Sequence, residues 1–221
     1  MAIWQGLPYL LQGAGLTVLI SAVAMLLELI LGMITALLSQ LPWRFPRALA
    51  RAYVEIFRNT PLLIQIFIVY FGLPQLGLKL SAFLSGLSAL TLYTAAYNEI
   101  SRTGLEAVPK GQHEAARSTG LTTLQEAVYV IIPQALRISF PALGNNLVSL
   151  VKNSSLVSTI GMVELMFVAN DISFNNFRSF EIYGMAAVLY VVLVLGLTRL
   201  LNVTEARVLR KGLTSSGHAA A

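Results

Sequence analysis

Five segments of this chain are long enough and apolar enough to cross a lipid bilayer as helices. They are Gly15–Leu38, Asn59–Leu78, Leu80–Asn98, Ile138–Gly161 and Ile182–Thr198. Glu28 in the first and Lys152 in the fourth are the only charged residues within them. A helical span needs about 20 predominantly apolar residues, and we expect the last segment to extend a few residues further. The sequence therefore predicts an all-α integral membrane protein with about five transmembrane helices.

Residues that break helices separate these segments. Leu41–Pro46 carries two prolines after the first segment, and a glycine- and proline-containing stretch, Gly72–Lys79, separates the second from the third. Ile138–Asn170 is too long for one straight span. We expect it to break near Asn153-Ser154-Ser155 and to continue as a shorter helix on the outer side.

The composition agrees with a membrane protein and excludes several other classes. Only 11% of the residues are charged, against about 25% in a soluble domain. The chain has no cysteine, so disulfide frameworks, thiolate catalysis and cysteine-based zinc sites are excluded within it. No basic residue precedes the first apolar segment, so we expect that segment to remain as an anchor and not to act as a secretory signal.

Basic residues are distributed unequally between the two sides of the predicted bundle. The richer side receives Arg44, Arg47, Arg51, Arg58, Arg102, Lys110, Arg117, Arg137, Arg199, Arg207, Arg210 and Lys211. The other side receives only Lys79 and Arg178. Loops rich in Lys and Arg stay in the cytoplasm, so the N-terminus is predicted outside and the C-terminus inside. The net charge of +5 is then a topology signal, since a nucleic-acid role would need a basic soluble face.

The polar stretch between the third and fourth segments, residues 104–138, predicts two short helices with a sharp corner. Pro109 is placed to open the first helix, and Gly120 to end it in the left-handed conformation that glycine adopts without strain. Thr122 and Thr123 lie three residues before Gln125 and Glu126, which forms a capping box in either register.

The second helix of this stretch has one apolar face and a predicted end. Spacings of three and four residues place Leu121, Leu124, Val128 and Ile131 on that face, and we expect Pro133 to stop the helix. Two interpretations fit the pattern. The corner could dock on a partner protein, or the helix could lie flat on lipid.

A series of motifs decides between them by resemblance. Glu114-Ala115-Ala116, then Gly120, then Ile132-Pro133 closely resembles the EAA loop of ABC importer permeases. Further segments resemble the polar amino-acid permeases of that family, in the same order: 57–65 (FRNTPLLIQ), 96–102 (AYNEISR), 108–112 (VPKGQ), 133–137 (PQALR) and 152–156 (KNSSL). The resemblance runs from about the first span to Arg210. It departs at Asn59, where glycine or serine is frequent, and at Asn153-Ser154, where Asp-Thr is common.

The resemblance implies a type I ABC importer permease that carries a polar amino acid across the bacterial cytoplasmic (inner) membrane. Residues 1–211 would form the multi-pass permease domain with a cytoplasmic loop at 104–138, and residues 212–221 a polar, disordered tail. The implied partners are an ATPase dimer, a second identical or homologous permease, and a periplasmic or tethered binding protein. The residues implied in ATPase coupling are Glu114, Ala115, Ala116, Gly120, Leu121 and Leu124.

ATP hydrolysis is expected in another polypeptide. A P-loop requires a Gly-Lys dipeptide ahead of Ser or Thr, and this chain has no Gly-Lys dipeptide. We therefore predict that the chain is a transporter subunit and not an enzyme. It would hold no cofactor of its own, with ATP and Mg²⁺ bound by the partner ATPase.

Polar residues within the spans are costly and need a reason. The candidates for substrate contact are Gln65, Tyr97, Asn98, Glu164 and Asp171. Glu164 and Asp171 are seven residues apart and would share a face if one helix contains both.

Other charged residues in the spans have a competing structural interpretation. Glu28 could be a carboxylate on the transport pathway or serve an interhelical bond, and Lys152 could contact a substrate carboxylate or anchor the break that follows it. Glu99 and Arg102 could contact the ligand or pair with each other along one face. The alternative function is a self-contained channel or secondary transporter, for which the expected internal repeats are not visible.

Overall fold

The computed structural model describes residues 6–97 and 104–216, and these residues are mostly helical with no strand among them. The helices are α1 (Leu7–Gln40), α2 (Arg44–Arg58), α3 (Leu62–Phe67), α4 (Ala82–Tyr97), α5 (Lys110–Ser118), α6 (Thr123–Glu126), α7 (Ile132–Asn153), α8 (Leu165–Asn176) and α9 (Ser179–Ser216). A π-helical turn and a 3₁₀ turn extend α3 to Leu76. The predicted all-α membrane architecture is confirmed.

The described residues contain three helical stretches long and apolar enough to cross a membrane. These are residues 7–39, 123–160 and 179–205. A fourth candidate is α2 together with residues 62–76, although this pair bends by 107°. The apolar helix α4 is shorter, at 16 residues. Five spans and the orientation of the termini therefore stay predictions.

Helix α1 is the centre of the packing, since it contacts α2, α4, α7, α8 and α9. Small residues make this possible: a Cβ on Gly13 would lie 2.9 Å from the Cα of Leu165 at the start of α8. Small side chains let membrane helices approach closely. This close packing matters because the hydrophobic effect does not drive helices together inside lipid. Near its other end, α1 contributes Ala36 to a cluster with Leu105, Val108, Ile131 and Ala135. We call this the loop-end cluster.

The helix that begins at α6 does not stop at Pro133, contrary to the prediction. Residues 127–131 form a π-helical turn, and Pro133 lies in the first turn of α7. Proline lacks the N–H that an interior helical position would use, but the first turn of a helix leaves that group without an intrahelical partner anyway. The chain therefore stays helical from the corner into the membrane span.

The π-helical turn also changes which residues share a face. Ile131 is buried in the loop-end cluster, whereas Leu124 and Val128 are exposed. The single apolar face predicted for Leu121, Leu124, Val128 and Ile131 is therefore wrong. Leu121 precedes the N-cap Thr122 and lies outside the helix, and the wider π-turn rotates Ile131 away from the exposed Leu124 and Val128.

The predicted break near Asn153 is confirmed. α7 ends at Asn153, a 3₁₀ segment follows over Ser154–Ile160, and α8 begins at Leu165. Val157 and Ile160 of the 3₁₀ segment pack against Ile20 of α1 and Leu90 of α4. The break thus lies inside the helix bundle.

Candidate functional site

The loop corner between α5 and α6 is built as the sequence predicts. Pro109 precedes the first residue of α5, and Gly120 has φ of +79°. The N–H of Leu121 donates to the Ala116 carbonyl at 3.3 Å, which satisfies one of the open carbonyls at the end of α5. The chain therefore turns sharply at Gly120.

A capping box then starts α6. The Gln125 N–H donates to the Thr122 hydroxyl at 3.3 Å, and the Thr122 N–H donates to Gln125 Oε1 at 2.9 Å. Of the two registers that the sequence allowed, the structure takes the one that begins at Thr122. Both bonds satisfy N–H groups that the first turn leaves open.

A buried carboxylate fastens the two sides of this corner together. Glu126 Oε1 lies 2.6 Å from His113 Nδ1, and Arg117 Nε donates to Glu126 Oε2 at 3.1 Å. Glu126 is only 3% exposed. The hydrogen bonds with His113 and then Arg117 lower the pKa of the Glu126 carboxyl below its usual value. We call these three residues the corner clamp.

The sequence pattern predicts only a capping role for Glu126 and does not predict the corner clamp. A signal was available, because His113 and Arg117 are four residues apart and therefore face the same side of α5. The sequence alone does not show that the corner folds Glu126 back over the side of α5 that carries His113 and Arg117. A carboxylate in this position becomes a tertiary contact instead of a cap.

Beyond the clamp, α6 and the π-turn present apolar side chains outward. Leu124 is 75% exposed and Tyr129 is 71% exposed, and Val128 is exposed beside them. We call these three residues the corner surface. Of the other predicted coupling residues, Glu114, Ala115 and Gly120 are exposed, Leu121 is half-buried and Ala116 is buried.

Gln65 lies in α3, and its side chain reaches back across the bend to the end of α2. Its amide Nε2 donates to the carbonyls of Phe57 at 2.9 Å and Thr60 at 3.1 Å, and lies 2.8 Å from the Thr60 hydroxyl. The side chain is buried. Its Oε1 has no hydrogen-bond partner among the residues that the structure describes. The amide nitrogen therefore holds the bend between α2 and α3.

Glu164 is the N-cap of α8 and is fully buried. Its Oε1 accepts from the Phe167 N–H at 2.7 Å, and its Oε2 accepts from the hydroxyls of Tyr190 at 2.8 Å and Thr17 at 3.2 Å. The carboxylate thus joins α8 to α1 and α9. Because it precedes α8 and is buried while Asp171 is exposed, the expected shared face of these two residues does not form.

Asp171 instead lines an open pocket of about 580 Å³ with Asn170, Ser158 and Tyr183. The Tyr183 hydroxyl donates to Asn170 Oδ1 at 3.1 Å. This pocket contains neither Gln65 nor Glu164, so of the three described substrate candidates only Asp171 lines it. Tyr97 ends α4, but its side chain lies outside the described residues, as do Asn98, Glu99 and Arg102.

Glu28 is fully buried in α1, and Asn146 Nδ2 of α7 donates to its Oε1 at 3.2 Å. An interhelical bond is therefore present at Glu28, in agreement with the structural interpretation. Lys152 is exposed in the last turn of α7. A cationic side chain at this position interacts favourably with the partial negative charge of the carbonyls that end the helix.

Comparison with known proteins identifies the family of the chain. Residues 28–210 match the family model described as "Binding-protein-dependent transport system inner membrane component". The chain belongs to this family. Its members are permease subunits of ABC importers and not enzymes, which confirms the resemblance in the EAA loop and places the chain in the bacterial inner membrane.

Individual relatives support the amino-acid branch of the family. The chain is 41% identical over 192 residues to "Probable glutamine ABC transporter permease protein GlnM" of Bacillus subtilis (strain 168), covering 86% of this chain and 89% of that protein. It is 38% identical over 194 residues to "Arginine transport system permease protein ArtQ" of the same organism, covering 87% and 89%.

A solved structure has the same fold. The "Crystal structure of an amino acid ABC transporter with histidines" matches with a TM-score of 0.83 and 37% identity, covering 93% of this chain and 97% of that one. The structure of the MetNI methionine ABC transporter in inward-facing conformations shares the fold at 22% identity and a TM-score of 0.75. The type I importer permease fold is thereby confirmed for this chain.

Proposed function

We propose that this chain is the permease of an ATP-driven importer for a polar amino acid, and that the corner surface seats on a separate ATPase subunit. The observation that carries the proposal is that an exposed apolar surface lies on a segment held rigidly to α5 by the corner clamp. Leu124 and Tyr129 are largely exposed, while Glu126 next to them is locked to α5. Exposed apolar patches on rigid elements are typical of protein interfaces.

The partners follow from this family membership. Two copies of an ATPase would bind ATP and Mg²⁺, and a second permease, identical or homologous, would complete the pore. A periplasmic or tethered binding protein would deliver the amino acid from outside. This chain would contribute the pathway and the corner surface, and no catalytic group.

The packing supplies a route for the mechanical step. The helix that starts at α6 continues through the π-turn into α7, so displacement of the corner is passed along one helical stretch. Ile131 and Ala135 on that stretch pack against Ala36 of α1. When the ATPases close, they would push the corner and move α7 and α1 together, which suits rocking between inward-open and outward-open states.

The substrate class is proposed from chemistry and relatives together. An amino acid carries an ammonium and a carboxylate, so its site needs acceptors and donors. Asp171 and Asn170 supply acceptor oxygens on the open pocket. Relatives whose names specify glutamine or arginine support a polar amino acid.

The docking role is tested by removing the corner surface. Leu124→Ala with Tyr129→Ala should abolish copurification of the ATPase subunit while the permease still inserts into membranes. Leu76→Ala is a matched control, because Leu76 is 78% exposed on a turn far along the chain from the corner. Full recovery of ATPase with the double variant would overturn the proposed docking surface.

A further inference from the structure

Helix α2 has three distinct faces, and the first is packed on protein. Ala50 is buried, and the Tyr53 hydroxyl donates to the Leu92 carbonyl of α4 at 2.6 Å. The Tyr53 ring also contacts Phe57, with ring centroids 4.9 Å apart. α2 is thus fixed to the bundle on this side.

The second face of α2 is apolar and exposed. Phe45 is 79% exposed, and Leu49 and Ile56 are exposed on the same side. Their spacings of four and seven residues align them within a narrow stripe, since residues four and seven apart share a helix face. Three large apolar side chains aligned in this way are suited to the acyl chains of a bilayer.

The third face carries a row of arginines. Arg44, Arg51 and Arg58 are exposed and seven residues apart, so they follow one side of the helix over about 21 Å at 1.5 Å per residue. Glu55 is the only acidic residue in α2. Arg47 differs from them, because it donates to the Leu41 carbonyl at 2.8 Å and is half-buried.

The position of α2 allows its apolar face and its arginine face to lie at the surface of the bilayer. α2 begins four residues after α1 ends, at the end of α1 where Ala36 joins the loop-end cluster. It is bent by 107° from the apolar helix 62–76. If residues 62–76 cross the membrane, α2 lies close to the plane of its surface, with the arginine row and the apolar stripe side by side.

We propose that the outer face of α2 binds anionic phospholipid headgroups, with Arg44 and Arg51 as the principal contacts and Phe45, Leu49 and Ile56 inserted beside them. Guanidinium groups match phosphate oxygens in charge and in hydrogen-bond geometry. A basic face next to an apolar face is the pattern of helices that lie in anionic membrane surfaces. The amide of Gln65 transmits this anchoring to α3, because it holds the bend at the end of α2.

The proposal is tested on the full transporter complex in nanodiscs made with equal parts of zwitterionic and anionic phospholipid. Lipids that stay bound after extraction into detergent are quantified by mass spectrometry. We expect wild type to retain anionic lipid in excess over its share of the bilayer. Arg44→Gln with Arg51→Gln should lose that excess, and Arg44→Lys with Arg51→Lys should keep most of it.

The control removes the same charge elsewhere. Lys79→Gln with Arg178→Gln takes two exposed cations from the other predicted side of the membrane and should leave the excess unchanged. High salt should reduce the wild-type excess, because surface charge pairs are screened, and this measurement needs no variant to fold. Wild-type enrichment in the glutamine variant, or enrichment insensitive to salt, would overturn the proposal. Loss of a copurifying protein chain with unchanged lipid enrichment would instead assign the face to a protein partner.

Discussion

Arg117 Nε donates a hydrogen bond of 3.1 Å to Glu126 Oε2, so the helix that carries the Glu114-Ala115-Ala116 motif is tied to the segment that follows its corner. His113 contacts the other oxygen of the same carboxylate at 2.6 Å. With both oxygens engaged, the corner surface is held in a fixed orientation relative to α5. This contact links the EAA motif to the exposed side chains of Leu124 and Tyr129.

Glu126→Gln should weaken coupling without preventing membrane insertion. The amide keeps the size of the side chain but loses its charge, and charge-assisted hydrogen bonds are the stronger class. We expect ATPase stimulation by the loaded binding protein to fall on the order of tenfold. Glu181→Gln, an exposed acid at the start of α9, is the matched control. Wild-type stimulation in Glu126→Gln would remove the corner clamp from the coupling mechanism.

The corner clamp should also make stability depend on pH in the acid range. Because the folded state lowers the pKa of Glu126, the carboxylate stabilises the fold fully above its ordinary pKa of 4.5. This contribution is lost as the pH falls below that value through the folded pKa. Thermal unfolding of the permease in detergent should show a steeper acid-side loss for wild type than for Glu126→Gln. Identical pH profiles would contradict this assignment.

Gly120→Ala should damage the corner through the backbone. At φ of +79° a side chain costs about 1–2 kcal/mol, and relief of that strain would rotate α6 relative to α5. We expect normal membrane insertion with reduced transport-linked ATPase activity. Gly111→Ala is the control, because a Cβ there meets no atom within 4 Å and its φ is not positive. Equal activity of the two variants would show that the left-handed turn is dispensable.

Glu164→Gln should destabilise the fold, whereas Asp171→Asn should not. Glu164 joins α8 to Thr17 of α1 and Tyr190 of α9, and disturbing a buried hydrogen-bonded group costs about 1–3 kcal/mol. Asp171 is exposed on the pocket, so its variant should change uptake alone. Thermal unfolding and amino-acid uptake, measured on both variants, separate the two roles. An unchanged unfolding temperature for Glu164→Gln would refute the structural role.

Local signals predicted the loop corner well. Gly120, Pro109 and the Thr122 capping box each act over three or four residues, so their outcome depends little on the rest of the fold. The same holds for the break after Asn153. These positions could be derived from sequence because the chemistry that decides them is contained in the sequence nearby.

The features that the sequence does not predict depend on more than the few neighbouring residues that decide the loop corner. The local sequence around Pro133 does not predict that the chain is already helical before it. That outcome depends on the π-turn at residues 127–131, after which Pro133 lies in the first turn of α7. The partners of Glu164, Thr17 and Tyr190, likewise lie on segments far apart in the chain. The bend held by Gln65 is more local, since its partners Phe57 and Thr60 lie eight and five residues away. α2 is a different case, because the seven-residue spacing of Arg44, Arg51 and Arg58 is visible in the sequence and only the 107° bend after α2 gives that row a possible membrane-surface role.

The most direct test of the central claim is amino-acid uptake into vesicles reconstituted with and without the ATPase partner. We expect uptake and ATP hydrolysis to appear together, only when this permease, the ATPase and the loaded binding protein are all present, and both to be lost with Leu124→Ala and Tyr129→Ala. Full substrate flux through this permease in vesicles that contain no ATPase would contradict the claim and favour a self-contained channel or secondary transporter.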